Sequence, residues 1–196
     1  MDKGELIEFI NSNSELDIYY AYLLGQEVWY FEKSGTDASK QYDNFKKFIA
    51  RKLNIPFNNL AIVGSAKTRF SFSPIKVLSE FHETSDFDLI IVSDKLFRQI
   101  WQAFREVSLN QHLHGYSYKC SNVFNGFVSF KDDDPTYGHV TLQSWQRTIN
   151  SFKAELQLTF NIEHDINYRI YSDWESVQDY HVKGISKLKI SINETN

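Results

Sequence analysis

The sequence is short of cysteine, of basic charge and of long apolar runs, and each shortage closes off a class of protein. Cys120 is the single cysteine among 196 residues. One thiol has no internal partner, so a disulfide framework is excluded and a reducing, cytoplasmic setting is expected. No pattern of histidine and acidic residues marks Cys120 as a nucleophile, and it reads as a small buried apolar residue. Lys and Arg number 21 against 25 Asp and Glu, a net charge of -4. That balance speaks against a dedicated duplex binder, which needs a strong basic face, and leaves room only for a local patch. No stretch approaches the ~18 apolar residues of a membrane span. The start, Met1-Asp2-Lys3-Gly4-Glu5, lacks the basic-then-apolar order of a signal peptide. There is no repeat, linker or low-complexity segment.

What is abundant is aromatic: 16 Phe, 11 Tyr and 4 Trp. Such rings bury large areas and fill cores; their other use is a stacking platform for bases or a partner surface. With 42% hydrophobic residues, the chain is long enough to bury one substantial core. One domain over residues 1–196 is expected.

Periodicity divides the chain into a helical part (1–54), a core (55–105) and a remainder (106–196). Leu6, Ile7 and Ile10 mark a short first helix. Ser14 with Asp17 is a capping signal for a second, which the spacing of Ile18, Tyr22, Leu23 and Val28 extends to about Phe31. Ser34-Gly35-Thr36-Asp37 breaks it. Thr36 or Asp37 then caps a helix with Tyr42, Phe45, Phe48, Ile49 and Leu53 on one face, and Ile55-Pro56 ends it. Leu60–Val63 is a short apolar run before Gly64, a buried strand. Residues 66–85 read as a loop or irregular hairpin. Phe87–Val92 is the clearest strand. Ser93-Asp94 caps a helix with Leu96, Phe97, Ile100, Trp101 and Phe104 on one face. Residues 107–138 show no clear pattern. Residues 141–153 read as helix, Ile166–Tyr171 as a half-buried strand, Trp174–Leu188 as a last helix, and Ser191–Asn196 as frayed. The fold class is therefore α+β, a small mixed sheet flanked by helices with helical N-terminal and C-terminal segments.

The chemistry concentrates in Val63-Gly64-Ser65-Ala66-Lys67 and Ser85-Asp86-Phe87-Asp88. Gly64 after a buried strand permits a sharp turn and close approach of a ligand to the backbone. Ser65 offers a hydroxyl and an N–H to phosphate oxygens, and Lys67 and Arg69 are cations close by in sequence. Asp86 and Asp88, two apart in a strand, point to one face. Two neighbouring carboxylates repel unless a cation lies between them, and a hard ion such as Mg²⁺ suits oxygen ligands shared with phosphates.

Gly64-Ser65 at the end of one strand, followed by Ser85-Asp86-Phe87-Asp88 opening the next, resembles the nucleotidyltransferase superfamily, with residues 55–105 carrying the likeness. Gly64–Pro74 is similar to a bacterial branch of that fold. The resemblance implies transfer of a nucleoside monophosphate from a nucleoside triphosphate to an acceptor hydroxyl. Mg²⁺ or Mn²⁺ would sit on Asp86 and Asp88, and Gly64, Ser65, Lys67, Arg69 and Ser85 would stand around the nucleotide. It also implies a setting such as toxin–antitoxin or phage-defence systems, with an RNA or protein acceptor or partner. Active members carry a third carboxylate on a later strand. Asp165, at the start of Ile166–Tyr171, is the first candidate. Glu155, before a strand over Leu156–Phe160, and the acidic run Asp132-Asp133-Asp134 are others. The polar positions of Ile166–Tyr171 are Asn167 and Arg169, so a scaffold that keeps the fold without catalysis, sensing nucleotide or holding a partner, is the alternative. Arg169 reads either as a phosphate contact or as half of an internal salt bridge. His112-Leu113-His114, His82 and Glu83 read as polar loop, and Tyr19–Tyr22 as core or interface.

Overall fold

The computed structural model describes residues 2–32, 37–131 and 134–195. The break at Ser34-Gly35-Thr36 and the candidate ligands Asp132 and Asp133 lie outside them.

The first helix, α1 (Lys3–Ser12), starts where Asp2 accepts from the Glu5 N–H and Glu5 accepts from the Asp2 N–H, a reciprocal cap. Ser14 caps α2 (Glu15–Ile18), which continues as one π-helical stretch, Tyr19–Leu23. The single long helix expected up to Phe31 does not form. The carbonyls of Gly25 and Glu27 accept from the Lys67 ammonium instead of from helical N–H groups, so the chain is held out of the helix until α3 (Trp29–Glu32). Asp37 caps α4 (Ala38–Leu53), and Asn54, in the left-handed region, returns its N–H to Ala50 O and stops it.

Then come β1 (Leu60–Val63), α5 (Ser65–Thr68), β2 (Phe87–Val92) and α6 (Asp94–Asn110), the last capped by Ser93. The buried stripe of α6 is Ile100, Ala103, Phe104 and Val107, so Trp101 turns outward and is 40% exposed. The segment without periodicity, 107–138, holds α7 (Tyr116–Phe124) and β3 (Phe127–Phe130). Cys120 on α7 is only partly buried. The helix α8 (Val140–Phe160) runs through Leu156–Phe160, because Ile149, Phe152 and Leu156 extend one apolar face; Asn161 then ends it in the left-handed region. No strand forms there, and Glu155 pairs with Lys52 at 2.6 Å on the surface. β4 (Ile166–Tyr171) and α9 (Trp174–Thr195) complete the described chain; α9 takes in residues 191–195 of the segment expected to fray, and Asn196 lies outside the described residues.

The strands form one mixed sheet in the order β1-β2-β4-β3, with β2 and β4 parallel and both outer pairs antiparallel. The architecture is α+β. Alternation sends Phe87, Leu89, Ile91, Ile166, Tyr168 and Ile170 to one face, packed with α4, α6 and α8 around Phe45, Phe104 and Phe152. Ile90, Val92 and Tyr171 go to the other, against α1, the π stretch and α9. Each fully buried Phe contributes about 1.5–3 kcal/mol of apolar transfer, and Phe31, Phe45, Phe87 and Phe127 all qualify. No helix of the described residues is long and apolar enough to cross a membrane.

Candidate functional site

The second face of the sheet is polar at one end. β1 stops at Val63, and Gly64 turns the chain with φ 73° and ψ −164°, a conformation essentially confined to glycine. A Cβ there would lie 2.8 Å from Oδ2 of Asp88. Gly64 thus lets the backbone touch the carboxylate. Ser65 follows, and the Thr68 hydroxyl braces the turn against Gly64 O and Phe70 O (3.0 and 2.7 Å). Arg69, Val77 and Leu78 all have positive φ in the loop that follows, and a β-branched residue there is strained. Buried Phe70 and Leu78, with backbone bonds Ser71 N to Ser79 O and Phe81 N to Arg69 O (both 2.8 Å), hold the loop down. Its outer turn brings Ser71, Ser73 and Lys76 to one rim.

Asp86 and Asp88 open β2. In register, Val63 lies beside Asp88 on one side and Asn167 on the other. The Asn167 amide donates to Asp86 Oδ2 at 3.0 Å and makes a long contact of 3.5 Å to Asp88 Oδ1. Arg169, two residues on, donates from Nη2 to Asp88 Oδ1 at 3.0 Å, and both side chains are about four-fifths buried. Burial is the largest influence and works against the guanidinium charge, but the Asp88 carboxylate together with Tyr171, Tyr180 and Tyr118 outweighs it and raises the Arg169 pKa above its ordinary value. The Tyr180 ring covers the guanidinium at 5.9 Å.

Around this pair opens a cleft of about 570 Å³, closed on the far side by α9 and α7. Five cations line it, Lys76, Lys131, Lys183, Lys187 and Arg169, against Asp86 and Asp88. The four lysines have no carboxylate partner among the described residues. A chain of net negative charge therefore concentrates positive charge in one concavity, which raises the local concentration of anions. His181 of α9 lies on the apolar stripe of that helix and also lines the cleft. Its Nε2 is buried without a partner, and burial, with Arg169 nearby, pushes its pKa down to about 3, so it is neutral at physiological pH.

Of the residues singled out from sequence, Gly64, Ser65, Ser85, Asp86 and Asp88 line the cleft together, as does Arg169. Lys67, Arg69 and Asp165 do not. Lys67 is buried beneath the turn on the carbonyls of Gly25 and Glu27. Arg69 pairs with Glu80 at 2.7 Å. Asp165 turns to Lys153 of α8 at 3.5 Å and contributes its backbone carbonyl to the Phe87 N–H. Asp134 pairs with Lys119 at 3.7 Å. His82, Glu83, His112 and His114 are exposed loop residues. The lysines of the far wall were not singled out. Tyr180, Lys183, Gly184 and Lys187 recur at helical spacing, a signal present in the sequence. Lys131, at the end of a four-residue strand, has none.

No group of three His, Cys, Asp or Glu side chains converges among the described residues. Two carboxylates completed by phosphate oxygens and water suit one magnesium ion. They do not suit a two-metal centre, because Asn167 and Arg169 hold the positions on β4 beside the pair, and Arg169 already engages Asp88. Comparison with protein-family models, curated proteins and solved structures finds no match to the chain.

Proposed function

We propose that the cleft binds a nucleoside triphosphate on a nucleotidyltransferase-like scaffold, and that it senses nucleotide without transferring it. The observation that carries this reading is the Asp88–Arg169 ion pair with Asn167 bridging to Asp86. A cation of the protein itself neutralises the carboxylate that a second metal ion would need. The unpaired lysines suit a triphosphate, and one Mg²⁺ would be shared by Asp86, Asp88 and the phosphates. Gly64 lets Asp88 close on the backbone at the turn, and Ser65 and Ser85 add hydroxyl groups to the cleft.

A second reading is nucleotidyl transfer. It is favoured by Asp86, which is exposed beside Gly64-Ser65 with one carboxylate oxygen not engaged by Asn167. In that reaction an acceptor hydroxyl attacks the α-phosphorus, its proton passes to Asp86, and the bond to the β-phosphate oxygen breaks to release pyrophosphate.

Calorimetric titration of ATP and GTP, with and without Mg²⁺, tests both. Saturable binding is expected, strengthened by Mg²⁺ in wild type and not in Asp86→Asn/Asp88→Asn. No binding by folded protein would overturn the proposal. Release of pyrophosphate by wild type and not by the double variant would replace sensing with transfer.

A further inference from the structure

A nucleoside triphosphate carries a base as well as phosphates, and the far wall of the cleft holds a place for one. Three aromatic side chains line the cleft, Phe72, Tyr118 and Tyr180. Two are already engaged. Phe72 packs on Tyr22 with ring centroids 5.6 Å apart. Tyr180 meets Phe127 edge-on at 5.1 Å and lies over the Arg169 guanidinium. Tyr118 is different. It is 51% exposed, and among the described residues it has no ring contact, ion pair or hydrogen bond. A bare aromatic ring inside a cleft of positive charge is a stacking surface. Ser121 and Asn125 line the cleft from the same face of α7, so the Tyr118 side of that helix borders the opening.

The second observation is a glycine. Gly184 stands in the middle of α9 and lines the cleft one turn after Tyr180. Only proline serves a helix interior worse. The backbone does not ask for glycine, since φ is not positive there. Nor does packing, because a Cβ would meet no heavy atom within 4 Å beyond its own stretch of helix. Alanine would fit and would strengthen the helix. What glycine keeps is room: bare helix backbone on the cleft wall, flanked by Lys183 and Lys187. Arg169 is common to both features. The Tyr118 phenol lies near enough to act on its charge, and Gly184 sits one turn from the ring that covers it.

We infer that the base of the nucleotide stacks on Tyr118 and lies against the bare backbone at Gly184, with its phosphates toward Ser65 and Asp86. This rests on the triphosphate reading of the cleft and adds the seat of the base. Ser121 and Asn125 offer polar groups to the base edge, and the long lysine stems of α9 turn their charge toward the phosphates.

Calorimetric titration of ATP, GTP, CTP and UTP beside inorganic tripolyphosphate, all with Mg²⁺, separates base from phosphate. In wild type at least one nucleotide is expected to bind about tenfold more tightly than tripolyphosphate, the effect of one stacked base. Tyr118→Ser, at an exposed position with no partner to lose, should fold normally. It should bring that nucleotide down to the affinity of tripolyphosphate, which itself stays unchanged. Tyr118→Phe should keep the gap. Gly184→Ala should raise the urea midpoint and narrow the gap, and Gly184→Leu should close it. A gap that survives in Tyr118→Ser or in folded Gly184→Leu overturns the inference. Wild type that binds tripolyphosphate as tightly as every nucleotide also overturns it and leaves the anion cleft standing. Wild type that binds neither removes the triphosphate reading together with the seat.

Discussion

Gly64 meets a demand that no side chain can meet. Its backbone lies in a region reserved for glycine, and the space a Cβ would need is taken by Asp88 Oδ2 at 2.8 Å. Gly64→Ala is expected to cost about 1–3 kcal/mol of backbone strain, read as a lower urea midpoint. It should also weaken nucleotide binding more than its loss of stability accounts for, because Asp88 must shift. This residue was legible: a glycine directly after a four-residue apolar run says that the chain turns tightly there. Asp86 and Asp88 were legible for the same reason, since strand alternation alone puts them on one face. Lys67 and Arg69 were not. Nearness in sequence placed them beside the turn, but direction depends on which helix the turn enters, and α5 turns Lys67 down onto the carbonyls of Gly25 and Glu27. Arg169 was visible as a polar position on a strand; that its partner is Asp88 follows only from the β2–β4 register.

Among the elements, α9 couples the core to the cleft. One stripe, Val177, Ile185, Leu188 and Ile192, packs on the sheet, while Tyr180, Lys183 and Lys187 face the cleft. Leu188 is fully buried, so Leu188→Ala is expected to cost about 2–5 kcal/mol, measurable by urea denaturation. The measured cost tests how firmly α9 is seated, because a helix free to slide would fill the void and fall below that range. Long amphipathic helices and apolar strands could be read from periodicity; α4 and β2 follow the expected faces closely, and α6 keeps Ile100 and Phe104 inside but turns Trp101 out. Among the short elements α1 and β1 could, the latter as an unbroken apolar run before Gly64, but α5, α7 and β3 could not. A strand of four residues such as β3 spans two alternations, too few to stand out. The interruption after α2 depends on Lys67, more than 40 residues away along the chain, and no local pattern carries it.

At the scale of the whole molecule, the buried ionisable groups set the alkaline behaviour. Burial pushes the Lys67 pKa from 10.5 down to about 8, and Lys46 and Lys119 are lowered in the same way. Between about pH 8 and 10.5 folded Lys67 is neutral while the unfolded chain holds the proton. The unfolded state then binds more protons, and stability rises with pH. Tyr19 and Tyr42 act in the opposite sense. Burial raises them from 10.0 to about 12, so above pH 10 the unfolded chain loses protons that the folded one keeps, and stability falls. Urea midpoints should therefore climb from pH 8 to about pH 10, by an amount of order 2 kcal/mol, and drop beyond it. Lys67→Met should flatten the climb and leave the alkaline fall in place.

The walls of the cleft are drawn from Leu23 to Lys187, and this spacing governs the order in which the site is made. When β1 and β2 leave the ribosome, Asp88 emerges without the guanidinium that pairs with it, because Arg169 is translated 81 residues later. Until then the two strands can form a hairpin but not a site. A message truncated before α9 yields a product that keeps Lys76, Lys131 and Arg169 beside the acidic pair and lacks Lys183 and Lys187, so the surplus of positive over negative charge in the cleft falls from three to one and is complete only once synthesis has run past Lys187.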